Sequence, residues 1–314
     1  MEKIIITGGL GYIGTELCKI YSGEARYKNI VVIDNRFISE RVKQLRDWGI
    51  DFVHGDILDR ELIHKNLVDA DIIFHLAGIT DVSYTKQESN DHHDKLIKEV
   101  GVNGSKVVID CAPKTSKLIF PSTHVVFEGL KETKLDIAEE EKVCPVLSYA
   151  SGKAETEEDL IRSDLNFIIL RFGSVLGYSQ DTMRINIMPN LFSKNTSQNG
   201  TIKLFSAGRQ HKSLLTIFDA VRCLKFLAES EEINKEIFHC SSENMTVKEV
   251  AQICKKFNKT LNIVETDDEI PNLGYTISNK KLLSTGFEFK YSIGESIGEM
   301  IQNWSAKEIY SELE

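Results

Sequence analysis

Long apolar runs are missing from this chain. None approaches the roughly 18 residues of a membrane span, so no membrane partner is expected. Cysteine pairs are missing too. The six cysteines, Cys18, Cys111, Cys144, Cys223, Cys240 and Cys254, are scattered without a CxxC pair or a histidine cluster. That pattern sets aside a metal site and fits unpaired thiols in a reducing cytoplasm. Positive charge is in deficit, with 38 Lys and Arg against 47 Asp and Glu, a net charge of −9. Nucleic acid is therefore not an expected partner. An anionic small molecule stays admissible, since it needs only a local basic pocket. A targeting pattern is absent as well: Met1 is followed almost at once by an apolar strand, and a cytoplasmic location is expected.

What remains is a soluble globular composition, 41% hydrophobic and 27% charged over 314 residues, long enough for about two domains or one elaborated domain. Apolar runs read as strands at Ile30–Asp34, Asp51–His54, Ile72–Leu76, Leu118–Pro121 and Phe167–Arg171. Helical patterns lie between and after them, at Arg41–Trp48, Arg60–Leu67, His92–Cys111 and Tyr149–Arg162. Repeated strand–helix units predict a doubly wound parallel α/β sheet of Rossmann type. Past Gly177 the pattern loosens. Asn195–Gly200 reads as a polar loop, Thr216–Ser230 as a helix, Glu236–Cys240 as a strand, and Thr246–Phe257 and Ser292–Trp304 as amphipathic helices. The expected division is a nucleotide domain over 1–175, rejoined by 214–242. A smaller, interleaved C-terminal substrate domain would take 176–213 and 243–314.

The richest stretch is the first strand, Lys3–Thr7, running into Gly8-Gly9-Leu10-Gly11-Tyr12-Ile13-Gly14. Three spaced glycines between a strand and a helix suit a dinucleotide pyrophosphate, which needs a turn free of side chains and a helix N-terminus facing it. Asp34 ends the second strand twenty residues after Gly14, where a carboxylate can bond both ribose hydroxyls of NAD and repel the 2′-phosphate of NADP. Arg36 close by would soften that discrimination. Gly55-Asp56 follows the third strand, and its carboxylate could accept from the adenine amino group; alone the pair is only a turn signal. Further on, Tyr149-Ala150-Ser151-Gly152-Lys153 places a phenol and an ammonium four apart on one helix face. The cation favours phenolate, making the tyrosine a usable acid or base. Pro121-Ser122-Thr123 at a strand end brings hydroxyls that could bond the same substrate oxygen.

This order resembles the extended short-chain dehydrogenase/reductase family, in its NAD-dependent epimerase/dehydratase branch. The resemblance covers nearly the whole chain: Thr7 to Gly14, Asp34, Asp56, His75-Leu76-Ala77-Gly78, Ser122-Thr123, Tyr149 with Lys153, Leu170-Arg171-Phe172, and Lys281 to Phe287. It implies NAD as cofactor, a nucleotide sugar as substrate and Thr123, Tyr149 and Lys153 as the catalytic set. It also implies a homodimer paired through His92–Cys111 and Tyr149–Arg162. The cofactor residues expected are Gly8, Gly11, Tyr12, Ile13, Gly14, Asp34, Asn35, Asp56, Ile57, Leu76, Ala77, Gly78, Tyr149 and Lys153. Those expected on the substrate are Thr80, Ser122, His124, Ser174, Arg184, Arg209 and Lys212.

Departures from the family's pattern narrow the reaction. Where its 4,6-dehydratases place Asp and Glu after the catalytic Thr, this chain has His124 and Val125. Valine cannot take a proton, so dehydration by that route, and decarboxylation that uses the same carboxylate, are disfavoured. His124 reads first as a structural histidine and second as an acid. The run Ser122 to Gly129 also resembles 4-keto-sugar reductases, which commonly prefer NADPH; Asp34 speaks against that. Gly101 stands where Asn is common, Ser174 likewise, and Lys212 replaces a pyrophosphate-binding Arg, keeping charge but losing the bidentate fork. Arg184, Arg209 and His211 could supplement it. A nucleotide-sugar 4-epimerase is thus the first expectation, a keto-sugar reductase the second, and a dehydratase or a non-catalytic NAD sensor the remainder.

Overall fold

A computed structural model describes residues 2–24, 29–80, 91–180, 182–268 and 274–311. The strands of its first half are β1 (Lys3–Thr7), β2 (Asn29–Asp34), β3 (Asp51–His54), β4 (Ile72–His75), β5 (Lys117–Thr123), β6 (Lys134–Ile137) and β7 (Asn166–Phe172). Then come β8 (Ser174–Leu176), β9 (Thr201–Leu204), β10 (His211–Thr216), β11 (Glu236–Cys240), β12 (Glu243–Thr246), β13 (Asn262–Glu265) and β14 (Tyr275–Ile277). The helices are α1 (Tyr12–Ser22), α2 (Ser39–Asp47), α3 (Arg60–Leu67), α4 (Asp91–Lys98), α5 (Ser105–Cys111) and α6 (Ser148–Arg162), followed by α7 (Met188–Ser197), α8 (Ile217–Glu229), α9 (Val247–Phe257), α10 (Lys280–Leu283) and α11 (Ile293–Ser311).

The chain divides into two compact units. The first takes Met1–Gly129, Lys142–Arg171 and Val221–Phe238, and the second takes Leu130–Glu141, Phe172–Ala220 and His239–Glu314. A seven-stranded sheet in the order β11-β7-β5-β4-β1-β2-β3 dominates the fold, and the pairs from β5 to β3 run parallel. This is the doubly wound sheet that the alternating pattern predicts. β4 and β5 are buried along their whole length, as strands covered on both faces must be. Their side chains join those of β1, β2, α3, α5 and α6 in one core, including Ile5, Ile33, Ile63, Ile73, Val108, Phe120 and Leu160. Strand order reverses beside β1, so the ends of β1 and β4 diverge and open a crevice at the switch point.

Two helix readings change. His92–Cys111 is not one α-helix, because Glu99–Gly104 between α4 and α5 is a π-helix. Its Gly101 carbonyl accepts from the Ser105 hydroxyl of the following turn and from the Thr156 hydroxyl of α6. Hydroxyls inserted at a carbonyl are a known cause of such widened turns. Asn195–Gly200 is not all loop, since Asn195 to Ser197 close the last turn of α7. Ser193 and Thr196 bond back to the carbonyls of Pro189 and Phe192, which lets polar residues continue the helix.

The second unit has its own core around Phe192, Leu204, Leu214, Val250, Cys254, Ile297 and Met300. Its small sheets are β12-β10-β8, β13-β9 and β14-β6. No helix among the described residues is long and apolar enough to cross a membrane.

Candidate active site

The glycine turn lies where β1 ends. Gly8 has φ +73°, and a Cβ there would come within 2.7 Å of the Ala77 backbone nitrogen after β4. A Cβ on Gly14 would sit 2.3 Å from Gly8 O, so the first turn of α1 closes on the strand only with glycine. The turn is tied by Gly8 N–H to Ile33 O at 2.8 Å and Gly11 N–H to Gly8 O at 3.0 Å. Tyr12 and Ile13 form the first helical residues, with Gly11 as N-cap. Leu76 N–H reaches Thr7 O at 3.1 Å and Ala77 N–H reaches Thr7 Oγ1 at 3.2 Å, bringing Leu76 to Gly78 beside the turn. Thr80 follows exposed, at the edge of the undescribed stretch 81–90.

Asp34 ends β2 with 5% of its surface exposed. Its Oδ2 accepts Leu10 N–H at 3.0 Å. Oδ1 accepts from Arg36 N at 3.0 Å and from Arg36 Nε at 3.2 Å. The acid expected to bind ribose is therefore braced to the glycine turn and covered by a half-exposed guanidinium. Asn35 Nδ2 donates to Asp56 Oδ2 at 3.1 Å, while Asp56 Oδ1 holds Leu58 N–H at 2.9 Å. Ile57 is a core residue, 4% exposed. A cradle that a Cβ would fill, with a buried acid at the end of the next strand, fits a dinucleotide.

The residues expected to react belong to the end of β5 and the start of α6. Thr123 closes the strand, and its Oγ1 accepts Val125 N–H at 3.3 Å, capping a short 3₁₀ turn over His124–Phe127. His124 is 7% exposed. On α6, Lys153 Nζ donates to Pro121 O at 2.8 Å and lies 4.3 Å from the Phe120 ring centre and 6.0 Å from that of Tyr149. The Lys153 ammonium is thus held at the end of β5 with the Tyr149 ring on its own helix nearby, two residues along the strand from Thr123. Burial pulls the Lys153 ammonium down to about 8, and Glu157 partly offsets it. His75, its ring stacked on that of Phe120 with centres 5.9 Å apart, is driven down to about 3 by burial first and by Lys153 second. It stays neutral, between Thr7 Oγ1 and Ser105 Oγ, each at 2.8 Å.

Ser122, expected on substrate, donates its hydroxyl to Glu157 in the interior. Glu157 also takes Arg171 through Nε at 3.1 Å and Nη2 at 2.7 Å, a pair 3% and 5% exposed. Glu157 lies one turn beyond Lys153, so the Tyr149–Lys153 spacing continued by four would have found it. Glu128, the next carboxylate after Val125, is committed to Val146 N–H at 3.0 Å and Leu147 N–H at 2.6 Å, at the start of α6.

In the second unit, Lys212 of β10 and Ser174 of β8 share one small sheet, with Leu214 opposite Ser174. Burial lowers the Lys212 pKa. Arg209 folds back onto its own turn, bonding Ser206 O at 3.2 Å and Ser206 Oγ at 3.0 Å. Arg184 lies before α7, its Nε 3.4 Å from Asn186 Oδ1. Among the described residues no group of three His, Cys, Asp or Glu could hold a metal ion.

A family model described as the NAD dependent epimerase/dehydratase family matches residues 4–240. A UDP-glucose 4-epimerase of Mycoplasma genitalium is 26% identical over 96% of this chain and 94% of its own. A UDP-N-acetyl-alpha-D-glucosaminuronate decarboxylase of Bacillus cytotoxicus is 24% identical over 80% and 78%. Among solved structures, the UDP-glucuronic acid 4-epimerase of Bacillus cereus, in complex with UDP-glucuronic acid and NAD, superposes with a TM-score of 0.82 at 20% identity, covering 98% of this chain and 100% of its own. The UDP-glucose 4-epimerase of Thermotoga maritima does so with 0.81 at 22% identity, covering 98% and 99%. At these identities the structures share the fold.

Proposed function

The chain belongs to the NAD dependent epimerase/dehydratase family, and from that premise we propose that it is an NAD-dependent nucleotide-sugar epimerase acting at C4. The observation carrying this reading is Lys153 Nζ held by Pro121 O at the end of β5 and 6.0 Å from the Tyr149 ring centre, with Thr123 closing that strand and Val125 in the turn after it. Gly8 to Gly14, Asp34 and the segment Leu76–Gly78 would hold NAD, which when bound supplies a reversible hydride acceptor. Tyr149 takes the proton from the sugar hydroxyl as the carbon is oxidised and returns it after the keto-sugar has presented its other face. Lys153 favours the phenolate that this exchange needs, and the Thr123 hydroxyl orients the same oxygen. Valine offers no base for elimination, and Glu128 and Glu157 are engaged elsewhere. That supports epimerisation over dehydration or decarboxylation.

The first unit serves as the cofactor unit and the second as the substrate unit, with Lys212 its anion-binding cation. A cytoplasmic homodimer completes the reading. Light scattering after size exclusion checks the dimer, and a monomer at assay concentration would remove it. The decisive experiment incubates the purified protein with UDP-, dTDP-, GDP- and CDP-sugars and separates the products. Epimerisation gives two interconverting sugars with no net change at about 340 nm, the band of reduced nicotinamide. One observation favours a reductase as the second reading: Arg36 lies against Asp34, where a cation could receive the 2′-phosphate of NADPH. Stoichiometric loss of the 340 nm band on a keto-sugar would establish that reaction instead.

A further inference from the structure

Arg41 is a buried charge that none of these roles uses. It stands on α2, 7% exposed. Its Nη2 donates to Leu10 O at 3.4 Å and to the Thr15 hydroxyl. Having accepted that bond, Thr15 has its own proton to give, and it gives it to Gly11 O at 2.8 Å. The Thr15 backbone N–H reaches the same carbonyl at 2.9 Å. From the opposite side, Leu10 N–H is held by Asp34 Oδ2 at 3.0 Å. The centre of the glycine turn is thus pinned by an acid from β2 at its amide and a base from α2 at its carbonyl.

Direction follows from the peptide bond. In a trans peptide N–H and C=O point opposite ways. Drawing Gly11 C=O inward to Thr15 therefore turns Tyr12 N–H outward at the mouth of α1, where helix amides meet an anion. No acidic residue occupies the first turn of α1, and Gly11 provides no side-chain cap. The guanidinium therefore adds to the positive end of the helix, in a water-poor setting where charge acts at longer reach. Its field is felt at Cys18, whose thiol burial pushes up to about 12 and Arg41 draws partly back.

We infer that Arg41 is a positioning residue for the pyrophosphate of the dinucleotide, aiming the turn's amides through Leu10, Thr15 and Gly11. This rests on the NAD reading above. The test is calorimetric titration of wild type, Arg41→Lys, Arg41→Met, Thr15→Val and the Met/Val double variant with NAD, ADP-ribose and adenosine, alongside ligand-free melting temperatures. Losing a charged hydrogen bond should weaken NAD and ADP-ribose about tenfold or more in Arg41→Met. Adenosine, lacking the pyrophosphate, should be unaffected. Lysine should recover part of the loss, and the double variant should bind no worse than Arg41→Met, because both changes cut one relay.

A folded Arg41→Met with wild-type affinity for NAD overturns the inference. So does an equal loss for all three ligands, which marks a merely structural role. If Arg41→Met does not fold, Arg41→Lys and Thr15→Val carry the comparison by the same criteria. Wild type that takes up no NAD fails the functional reading itself, and the inference falls with it.

Discussion

Lys153 holds its proton under tension between two needs. Burial brings it from its ordinary 10.5 to about 8, so above pH 8 the folded protein releases a proton that the unfolded chain keeps until 10.5. Between those values the unfolded state binds more protons, and this group alone makes stability rise with pH. Activity should move the other way: kcat falls as pH passes about 8, because the ammonium that favours the Tyr149 phenolate is lost. A pH–rate profile set beside a pH series of urea midpoints checks both signs, and parallel trends would refute the assignment. Tyr149→Phe should lower kcat by about 10²–10⁴ while NAD uptake persists. At Asp34, Arg36→Ala should weaken NADP about tenfold and leave NAD no weaker, measured by titration with each. The spacing of glycines, Asp34, Tyr149 and Lys153 was readable in the sequence because each marks a fixed step along one element. The brace from Arg36 to Asp34 and the burial of Ser122 against Glu157 were not, since partners on different elements leave no spacing to read.

Among elements, β5, α6 and β7 are locked by one buried group of side chains. Ser122, Glu157 and Arg171 come from these three in turn. Removing the guanidinium leaves the Glu157 carboxylate without its charge partner in the core. Arg171→Leu should therefore cost about 3–5 kcal/mol in urea unfolding, and a cost below about 1 kcal/mol would mean that water compensates the carboxylate. The same strands were legible beforehand, since continuous apolar runs buried on both faces leave little choice of structure. The small strands β8 to β10 and β12 to β14 were not. They run three to six residues, too short for a period to stand out even where β9 alternates buried and exposed, and none of β13 is fully buried. The π-helical turn escaped for another reason: it depends on a hydroxyl from α6 meeting Gly101, fifty-five residues earlier.

For the whole molecule, a cofactor that binds only the folded state stabilises it by mass action. NAD at a hundredfold excess over its dissociation constant adds about 2.7 kcal/mol and should raise the melting temperature by about 5 °C. No shift at saturating NAD would contradict the cofactor assignment. None of the six cysteines is in a disulfide, so a reducing agent should leave that temperature unchanged. The order of segments carries a consequence for the making of the protein. Strands β1 to β5 are complete at Thr123, yet their sheet takes its last two members only at Asn166–Phe172 and Glu236–Cys240. By then Leu130–Glu141 and most of Phe172–Ala220, segments of the other unit, have already left the ribosome. Neither unit can finish folding before the other has begun. The nascent chain must carry an unfinished sheet edge, first at β5 and then at β7, through much of its synthesis, which is where a chaperone would be needed.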